Sequence, residues 1–262
     1  MFNTIKYKDA NVVYSQSGGG QTLVLLHGFL EDKSMWAHFA DELRSDFCVI
    51  TPDLLGQGET GNVGYVHSME EMADAVYAVL EEEEVGNCTV VGHSMGGYVA
   101  LALAEKYPEK VSGLVLFHST AYADSEERKK DRERVISLVK RSKSVYIKTV
   151  IPSLFADEWR KNSKTEIQDL IEIANGYSDQ GIIANIRGMM DRKSRAHVMA
   201  DGNFPKLIIH GALDPVISIS DIETMADLNS NISLRVIKGV AHMGHLEAKG
   251  EVLSILKNFC KN

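Results

Sequence analysis

Residues 90–97 of the chain read VVGHSMGG, an apolar run that ends in a serine with one glycine two residues before it and another two residues after it. The pattern G-x-S-x-G around Ser94 is typical of a sharp turn from a strand into a helix, which exposes the serine hydroxyl. A turn without chemical role is equally compatible with so short a pattern, because the chain contains 21 glycines. The rest of the sequence has to distinguish these two interpretations.

Apolar runs of strand length recur along the chain, rich in valine, isoleucine and leucine and with little polar alternation. Such runs are typical of a parallel sheet buried on both faces. Segments with helical spacing lie between them, and a capping-box pattern at Ser68 and Glu71 predicts the start of one of these helices. The alternation predicts an α/β fold with a mostly parallel central sheet flanked by helices. The strand-like runs are residues 22–28, 47–54, 88–94, 111–119, 206–214 and 232–242.

Two segments depart from this alternation. Residues 3–20 alternate in polarity and then end in three glycines, which predicts a hairpin at the edge of the sheet with a turn at Gly18–Gly20. Residues 120–200 contain no strand-like run and show helical spacing instead. We therefore expect one core domain formed by residues 1–119 and 201–262, interrupted by a helical insertion at 120–200.

The composition narrows the class of protein. Hydrophobic residues make up 44% of the 262 residues and charged residues 24%, which is ordinary for a globular protein with a sizeable core. A net charge of −8 argues against partners such as nucleic acid or an anionic membrane. The N-terminus lacks an apolar stretch of signal-peptide length, so cytoplasmic residence is expected. The three cysteines have no metal-like spacing, and no metal site is expected.

Three features favour a chemical role for Ser94. A helix that begins near Met95 would direct its N-terminal N–H groups at the serine, where negative charge would develop. The HGF motif after the first central strand would bring the Phe29 N–H to the same point, as the second donor of an oxyanion hole. Asp214 and His242 follow in the order acid then base, each predicted at the C-terminal end of a strand, where open α/β sheets bind ligands.

Together these pieces resemble the α/β-hydrolase superfamily over nearly the whole chain. The motifs that carry the resemblance are LLHGF (25–29), PDLLGQGET (52–60), GHSMGG (92–97), GALDPVIS (211–218) and GVAHMGHLE (239–247). The resemblance implies Ser94 as nucleophile, His242 as base and Asp214 as the acid that orients it. It also implies the backbone N–H groups of Phe29 and Met95 as oxyanion donors.

The resemblance further implies that residues 120–200 form a cap over the substrate pocket. Apolar residues at helical spacing in this segment are candidates for the pocket wall, namely Phe155, Trp159, Met189 and Met190. The expected activity is that of a serine hydrolase, which cleaves a small-to-medium apolar ester through an acyl-enzyme and needs no metal or organic cofactor. The expected partner is a small-molecule substrate, and the oligomeric state is not predicted.

Alternatives stay open at this stage. His245 is a rival base three residues after His242, and Asp124 is a rival acid, since some relatives carry the acid after the strand predicted at 111–119. The same triad can support a lyase reaction or carbon–carbon bond hydrolysis, and the fold can also serve as a ligand receptor with vestigial catalysis. Menaquinone-pathway lyases resemble the chain at HGFL, but typically have an arginine where Tyr98 stands here.

Overall fold

Eight strands, eleven α-helices and two short 3₁₀ helices (Lys33–Trp36 and Pro108–Lys110) are described in the computed structural model, which covers residues 2–261. The strands are β1 (Phe2–Tyr7), β2 (Ala10–Ser17), β3 (Thr22–Leu26), β4 (Cys48–Pro52), β5 (Cys88–His93), β6 (Val111–Phe117), β7 (Lys206–Gly211) and β8 (Ile232–Ile237). The helices are α1 (Ala37–Leu43), α2 (Met69–Glu82), α3 (Met95–Lys106), α4 (Glu126–Ser153), α5 (Asp157–Asn162), α6 (Lys164–Gly176), α7 (Asp179–Asp191), α8 (Ala196–Asp201), α9 (Ile219–Ala226), α10 (Gly244–Glu247) and α11 (Lys249–Cys260). Within this range, no helix combines the length and the apolar character needed to cross a membrane.

The strands form one sheet in the order β1-β2-β4-β3-β5-β6-β7-β8. Strands β1 and β2 pair antiparallel to their neighbours, and every pairing from β4 to β8 is parallel. Alternate residues of β3 enter two different core clusters: Leu23 and Leu25 pack on one face of the sheet, and Val24 and Leu26 on the other. All four are fully buried. The predicted α/β fold with a doubly covered parallel sheet is therefore confirmed.

The predicted C-terminal ends of the last two strands are wrong. Strand β7 ends at Gly211, and the Asp214 N–H then donates to the Gly211 carbonyl across 3.1 Å in a tight turn. Strand β8 ends at Ile237, and the His242 N–H donates to the Leu154 carbonyl in the insertion instead of to a neighbouring strand. Both candidate residues therefore lie in loops beyond the strand ends.

The predicted edge hairpin is present, but its turn lies elsewhere. Strands β1 and β2 pair from Phe2 with Ser15 to Tyr7 with Ala10, so the two-residue turn is at Lys8 and Asp9. The glycines at positions 18–20 instead connect β2 to β3, and β2 pairs with β4. The polarity pattern predicts the two strands correctly, whereas the prediction that the glycine run forms their turn is wrong.

Helices α4–α8 occupy the chain between β6 and β7. Helix α4 is long and bends at Ser142, where ψ is 81°. It packs on α6 and α7, and α7 in turn contacts the loop before α2. There the His67 ring bonds the Asn185 side chain across 2.7 Å, and the His67 N–H donates to the Ala184 carbonyl. These contacts attach the helical segment to the sheet domain.

We expect Gly188→Ala to loosen this attachment, because the added methyl group would lie 1.7 Å from the His67 carbonyl oxygen. The free energy of unfolding should fall by about 1–3 kcal/mol, as for other overpacked sites. Gly176→Ala is the matched control, since no atom lies within 4 Å of its added carbon. Urea denaturation of both variants measures the difference, and equal stabilities would contradict the described packing of α7.

Candidate active site

Ser94 occupies a strained turn between β5 and α3. Its backbone lies at φ 50° and ψ −113°, a region that non-glycine residues rarely adopt. The flanking glycines allow this turn because α3 starts very close to the sheet: a methyl group at Gly96 would lie 2.4 Å from the Leu26 carbonyl oxygen, and one at Gly92 only 2.3 Å from the Gly96 carbonyl oxygen. The sequence therefore forces the serine outward at the C-terminal edge of the sheet.

A chain of hydrogen bonds links Ser94 to the two loops that follow β7 and β8. His242 Nδ1 lies 2.8 Å from Asp214 Oδ2 and donates its proton to that carboxylate. His242 Nε2 is then the free acceptor, and it lies 3.0 Å from the Ser94 hydroxyl oxygen. The structure thus brings together the three residues that the sequence suggested as nucleophile, base and acid.

Backbone and side-chain donors hold Asp214 in its ionised form. Its Oδ1 accepts the N–H groups of Val216 and Ile217 at 2.8 and 3.1 Å. Burial alone would raise the pKa of the carboxyl, but the charge of His242 and the hydrogen bonds from His118 and His242 outweigh it and hold the pKa well below its usual range. Asp214 is therefore an anion throughout the neutral range.

His118 is a neighbour of Asp214 that sequence reasoning missed. Its Nδ1 lies 2.9 Å from Asp214 Oδ2, so this oxygen accepts from both His118 and His242. Burial lowers the pKa of His118 to about 3, which makes it a neutral donor. The only signal in the sequence was its place just after β6, and that position does not reveal which side chain it faces.

A second buried carboxylate, Glu31, ties the HGF loop to the serine turn. Its Oε2 accepts the Gly28 N–H at 2.9 Å and bonds His93 Nδ1 at 2.7 Å. His93 Nε2 donates to the His242 carbonyl across 3.0 Å. Burial would raise the pKa of Glu31, but the His93 charge and hydrogen bond lower it to about 2. Burial alone would lower the pKa of His93, but the charge of Glu31 and its hydrogen bond to the ring have a larger effect and raise this pKa above its usual value.

Of the two residues suggested as oxyanion donors, Met95 follows Ser94 directly in the chain and Phe29 lies at the Ser94 cavity. Met95 is the first residue of α3 and is fully buried, and Phe29 lines the same cavity as Ser94. Within residues 2–261 neither backbone N–H donates a hydrogen bond to another residue. Both donors are thus free for an external acceptor, which is the state that an oxyanion hole requires.

The cavity at Ser94 has a volume of about 120 Å³ and is walled mainly by apolar side chains. These include Phe29, Leu30, Tyr146, Val150, Leu154 and Met189. Of the four pocket candidates from the sequence, Met189 alone lines this cavity. Phe155 and Trp159 instead stack on each other at 4.5 Å. Met190, the next residue on α7, is not among the residues that line the cavity.

The rival base and the rival acid lie in other environments. His245 Nε2 is 3.4 Å from Glu31 Oε1, and Asp124 forms ion pairs with Arg132 and Arg192. In the described part of the chain, neither forms a hydrogen bond with the Ser94, Asp214 or His242 side chains. The geometry therefore favours His242 and Asp214.

Two groups of side chains have a spacing that a metal ion could use. They are Glu31 with His93 and His245, and Asp214 with His118 and His210; in each group the ligand atoms lie within 4.8 Å of one another. Hydrogen bonds within the groups already engage one oxygen of each carboxylate. This arrangement fits a buried polar network at least as well as a metal centre.

Comparison with known proteins agrees with the fold. A family model described as serine aminopeptidase, S33, matches residues 20–249. Pyrrolizixenacetamide deacetylase from Xenorhabdus hominickii is 26% identical, over 98% of this chain and 97% of that protein. Lipase 1 from Psychrobacter immobilis is 24% identical, over 95% of this chain and 80% of that protein. A thermophilic esterase from Thermogutta terrifontis, solved with malate bound, superposes with a TM-score of 0.93 at 28% identity, covering 100% of this chain and 98% of that one.

We expect His245 to make folding sensitive to acid. Burial lowers its pKa to about 3, whereas a histidine in an unfolded chain has a pKa of about 6.5. Between these values the unfolded state binds one more proton, so the free energy of unfolding falls as the pH drops from 6.5 towards 3. In His245→Asn this dependence should be shallower by about 1 kcal/mol per pH unit. Urea denaturation at pH 6.5 and 4.5 measures it; exposed His38→Asn serves as the control, and parallel slopes for all three proteins would contradict the expectation.

Proposed function

Because the chain belongs to the serine aminopeptidase S33 family of α/β-hydrolases and is a hydrolase, we propose that it cleaves carboxylic esters through an acyl-enzyme on Ser94. One observation carries the proposal: the continuous hydrogen-bonded chain from the Ser94 hydroxyl through His242 to Asp214, at the edge of an apolar cavity. A serine hydroxyl is a weak nucleophile unless a positioned base takes its proton during attack.

In the first step Ser94 Oγ attacks the ester carbonyl carbon while His242 Nε2 accepts the hydroxyl proton. Asp214 stabilises the resulting imidazolium and keeps the ring in the correct orientation. Negative charge then develops on the former carbonyl oxygen. The Phe29 and Met95 N–H groups stabilise this oxyanion, together with the N-terminal end of α3.

In the second step the tetrahedral intermediate collapses, and His242 returns the proton to the departing alcohol oxygen. A water molecule then replaces the alcohol and attacks the acyl carbon while His242 takes one of its protons. The second tetrahedral intermediate collapses, the bond between the acyl carbon and Ser94 Oγ breaks, and His242 gives the proton to Oγ as the acid leaves. In each half-reaction His242 therefore accepts one proton and gives one proton back. Besides the ester, the reaction needs only groups of this chain and water.

The apolar wall of the cavity supports a small-to-medium acyl chain as the part of the ester next to the serine. Helices α4 and α7 provide Tyr146, Val150 and Met189 to this wall, which supports a role as a cap for the segment expected at 120–200. The cap also reaches the catalytic loop directly, since the Leu154 carbonyl accepts the His242 N–H at 2.9 Å.

Acyl transfer to water is favoured over the other chemistries considered from the sequence. The three similar proteins named above are a deacetylase, a lipase and an esterase, and each of these names describes cleavage of an acyl group. A lyase, or a hydrolase of carbon–carbon bonds, would also use His242 as base, but it would leave simple esters uncleaved. A ligand receptor would show neither ester cleavage nor reaction with a fluorophosphonate.

Ser94→Ala should abolish labelling by a fluorophosphonate and lower kcat for 4-nitrophenyl butyrate by about 10⁴-fold or more, because it removes the activated hydroxyl. Exposed Ser220→Ala should leave both unchanged. The measurements are mass spectrometry of the labelled peptide and steady-state kinetics. If Ser94→Ala retained turnover and became labelled elsewhere, the nucleophile would be another residue. If the native protein were labelled but cleaved no ester, the lyase or carbon–carbon hydrolase would replace this proposal.

Asp214→Asn should lower kcat on the order of 10³–10⁴-fold while the fold is retained. The amide no longer specifies the proton on His242 Nδ1, so the ring tautomer that presents a free Nε2 to Ser94 is lost. Asp227→Asn, an exposed change at the end of α9, is the control. Circular dichroism and steady-state kinetics test the pair, and equal activities in the two variants would remove Asp214 from the mechanism.

A further inference from the structure

The cavity at Ser94 adjoins a second cavity of a different character. This neighbour has a volume of about 310 Å³ and shares four lining residues with the first. The shared side chains are Tyr98, Arg128, Arg132 and Val216. Two of the four are arginines, so the lining changes from mainly apolar next to the serine to cationic further away from it. An ester bound at Ser94 would extend past these guanidinium groups.

The charges along the second cavity do not cancel. Three arginines and two aspartates line it, namely Arg128, Arg132, Arg192, Asp124 and Asp221, which leaves an excess of one positive charge. This excess contrasts with the net charge of −8 for the whole chain.

Ion pairs engage only some of these charged groups. Asp124 is almost fully buried and pairs with both Arg132 Nε and Arg192 Nη1. Arg128 has no acidic partner among residues 2–261. Glu31 also faces the serine cavity, but His93 and the Gly28 N–H engage its Oε2 and the His245 ring lies beside its Oε1. Asp221 lines the same cavity and forms no ion pair among residues 2–261, and Asp124 is shared by two arginines. The excess positive charge is therefore spread over Arg128 and the group that Arg132 and Arg192 form with Asp124.

The ion pairs also orient the arginines. Asp124 holds Arg132 by its Nε, which leaves the outer Nη end of the guanidinium beside Met189, with Nη1 3.6 Å from the sulfur. Met189 lines the serine cavity, so this end of Arg132 faces the substrate side. Arg192 is stacked over the Tyr98 ring at 4.0 Å and is nearly buried. The groups left for a ligand are thus Arg128 and the outer edge of Arg132.

We propose that this site selects esters whose acyl or alcohol part ends in a carboxylate, which Arg128 and Arg132 bind. A guanidinium presents parallel N–H donors that match the two oxygens of a carboxylate, and one carboxylate balances the single excess charge of the cavity. The apolar wall beside Ser94 holds the methylene chain between the ester and the anion. The inference rests on the proposed function of Ser94 and narrows the substrate from the apolar ester that the sequence suggested.

The test compares matched pairs of esters that differ only in charge. For the acyl side, mono-4-nitrophenyl adipate is compared with 4-nitrophenyl 6-methylheptanoate, in which an isopropyl group replaces the carboxylate. For the alcohol side, 4-acetoxybutyrate is compared with 4-methylpentyl acetate. Each pair is measured with the native protein, with Arg128→Gln, and with Arg134→Gln, which removes an exposed charge from the same helix. Uncatalysed hydrolysis is subtracted in every case.

In at least one pair, we expect the native protein to favour the anionic ester in kcat/KM by roughly 10- to 100-fold, as for hydrogen bonds to charged groups. Arg128→Gln should lose at least tenfold on that ester and keep its rate on the neutral one, Arg128→Lys should recover part of the loss, and Arg134→Gln should match the native protein. Raising the salt concentration should reduce the preference.

The experiment distinguishes a failure of the carboxylate subsite from a failure of the proposed function. If the native protein cleaves neutral esters and its Ser94 is labelled, but neither pair shows an anionic preference that depends on Arg128, the carboxylate subsite is wrong and the proposed function stands. If no ester is cleaved and Ser94 is not labelled, the proposed function itself is wrong, and this inference falls with it.

Discussion

The strained backbone of Ser94 is the constraint on which the rest of the site depends. A non-glycine residue in this region carries a cost of about 1–3 kcal/mol, so the surrounding structure must hold it. The Ser94 N–H donates to the Phe117 carbonyl at 2.9 Å, and the Ser119 hydroxyl donates to the Ser94 carbonyl at 2.8 Å. Both partners belong to β6 or its end, which is why the turn needs an intact parallel sheet beside it.

Two buried carboxylates extend this rigidity to loops that are distant in sequence. Asp214 joins the loops after β6, β7 and β8, because its Oδ2 accepts from both His118 and His242. Glu31 joins the HGF loop to the serine turn through His93, which in turn bonds the His242 carbonyl. Buried charges are tolerated when they are paired, and here the pairing fixes the position of the His242 ring.

Sequence patterns could predict the sheet and the meeting of three side chains, because buried parallel strands bring their C-terminal ends to one edge regardless of loop detail. They could not predict His118 or Glu31, whose partners lie 96 and 62 residues away in the chain. Helical spacing showed that the insertion has apolar faces but not which face meets the serine. For this reason the spacing could not show that Phe155 and Trp159 stack on each other instead of lining the cavity.

The insertion contacts the same histidine that the sheet positions. Leu154 accepts the His242 N–H, and the Glu247 carboxylate accepts both the Ala156 N–H of the insertion and the Met243 N–H next to His242. Arg132, on the same helix α4 that ends next to Leu154, faces the cavity. The insertion therefore both lines the cavity and holds the loop that carries His242, so the position of that ring depends on the insertion as well as on the sheet.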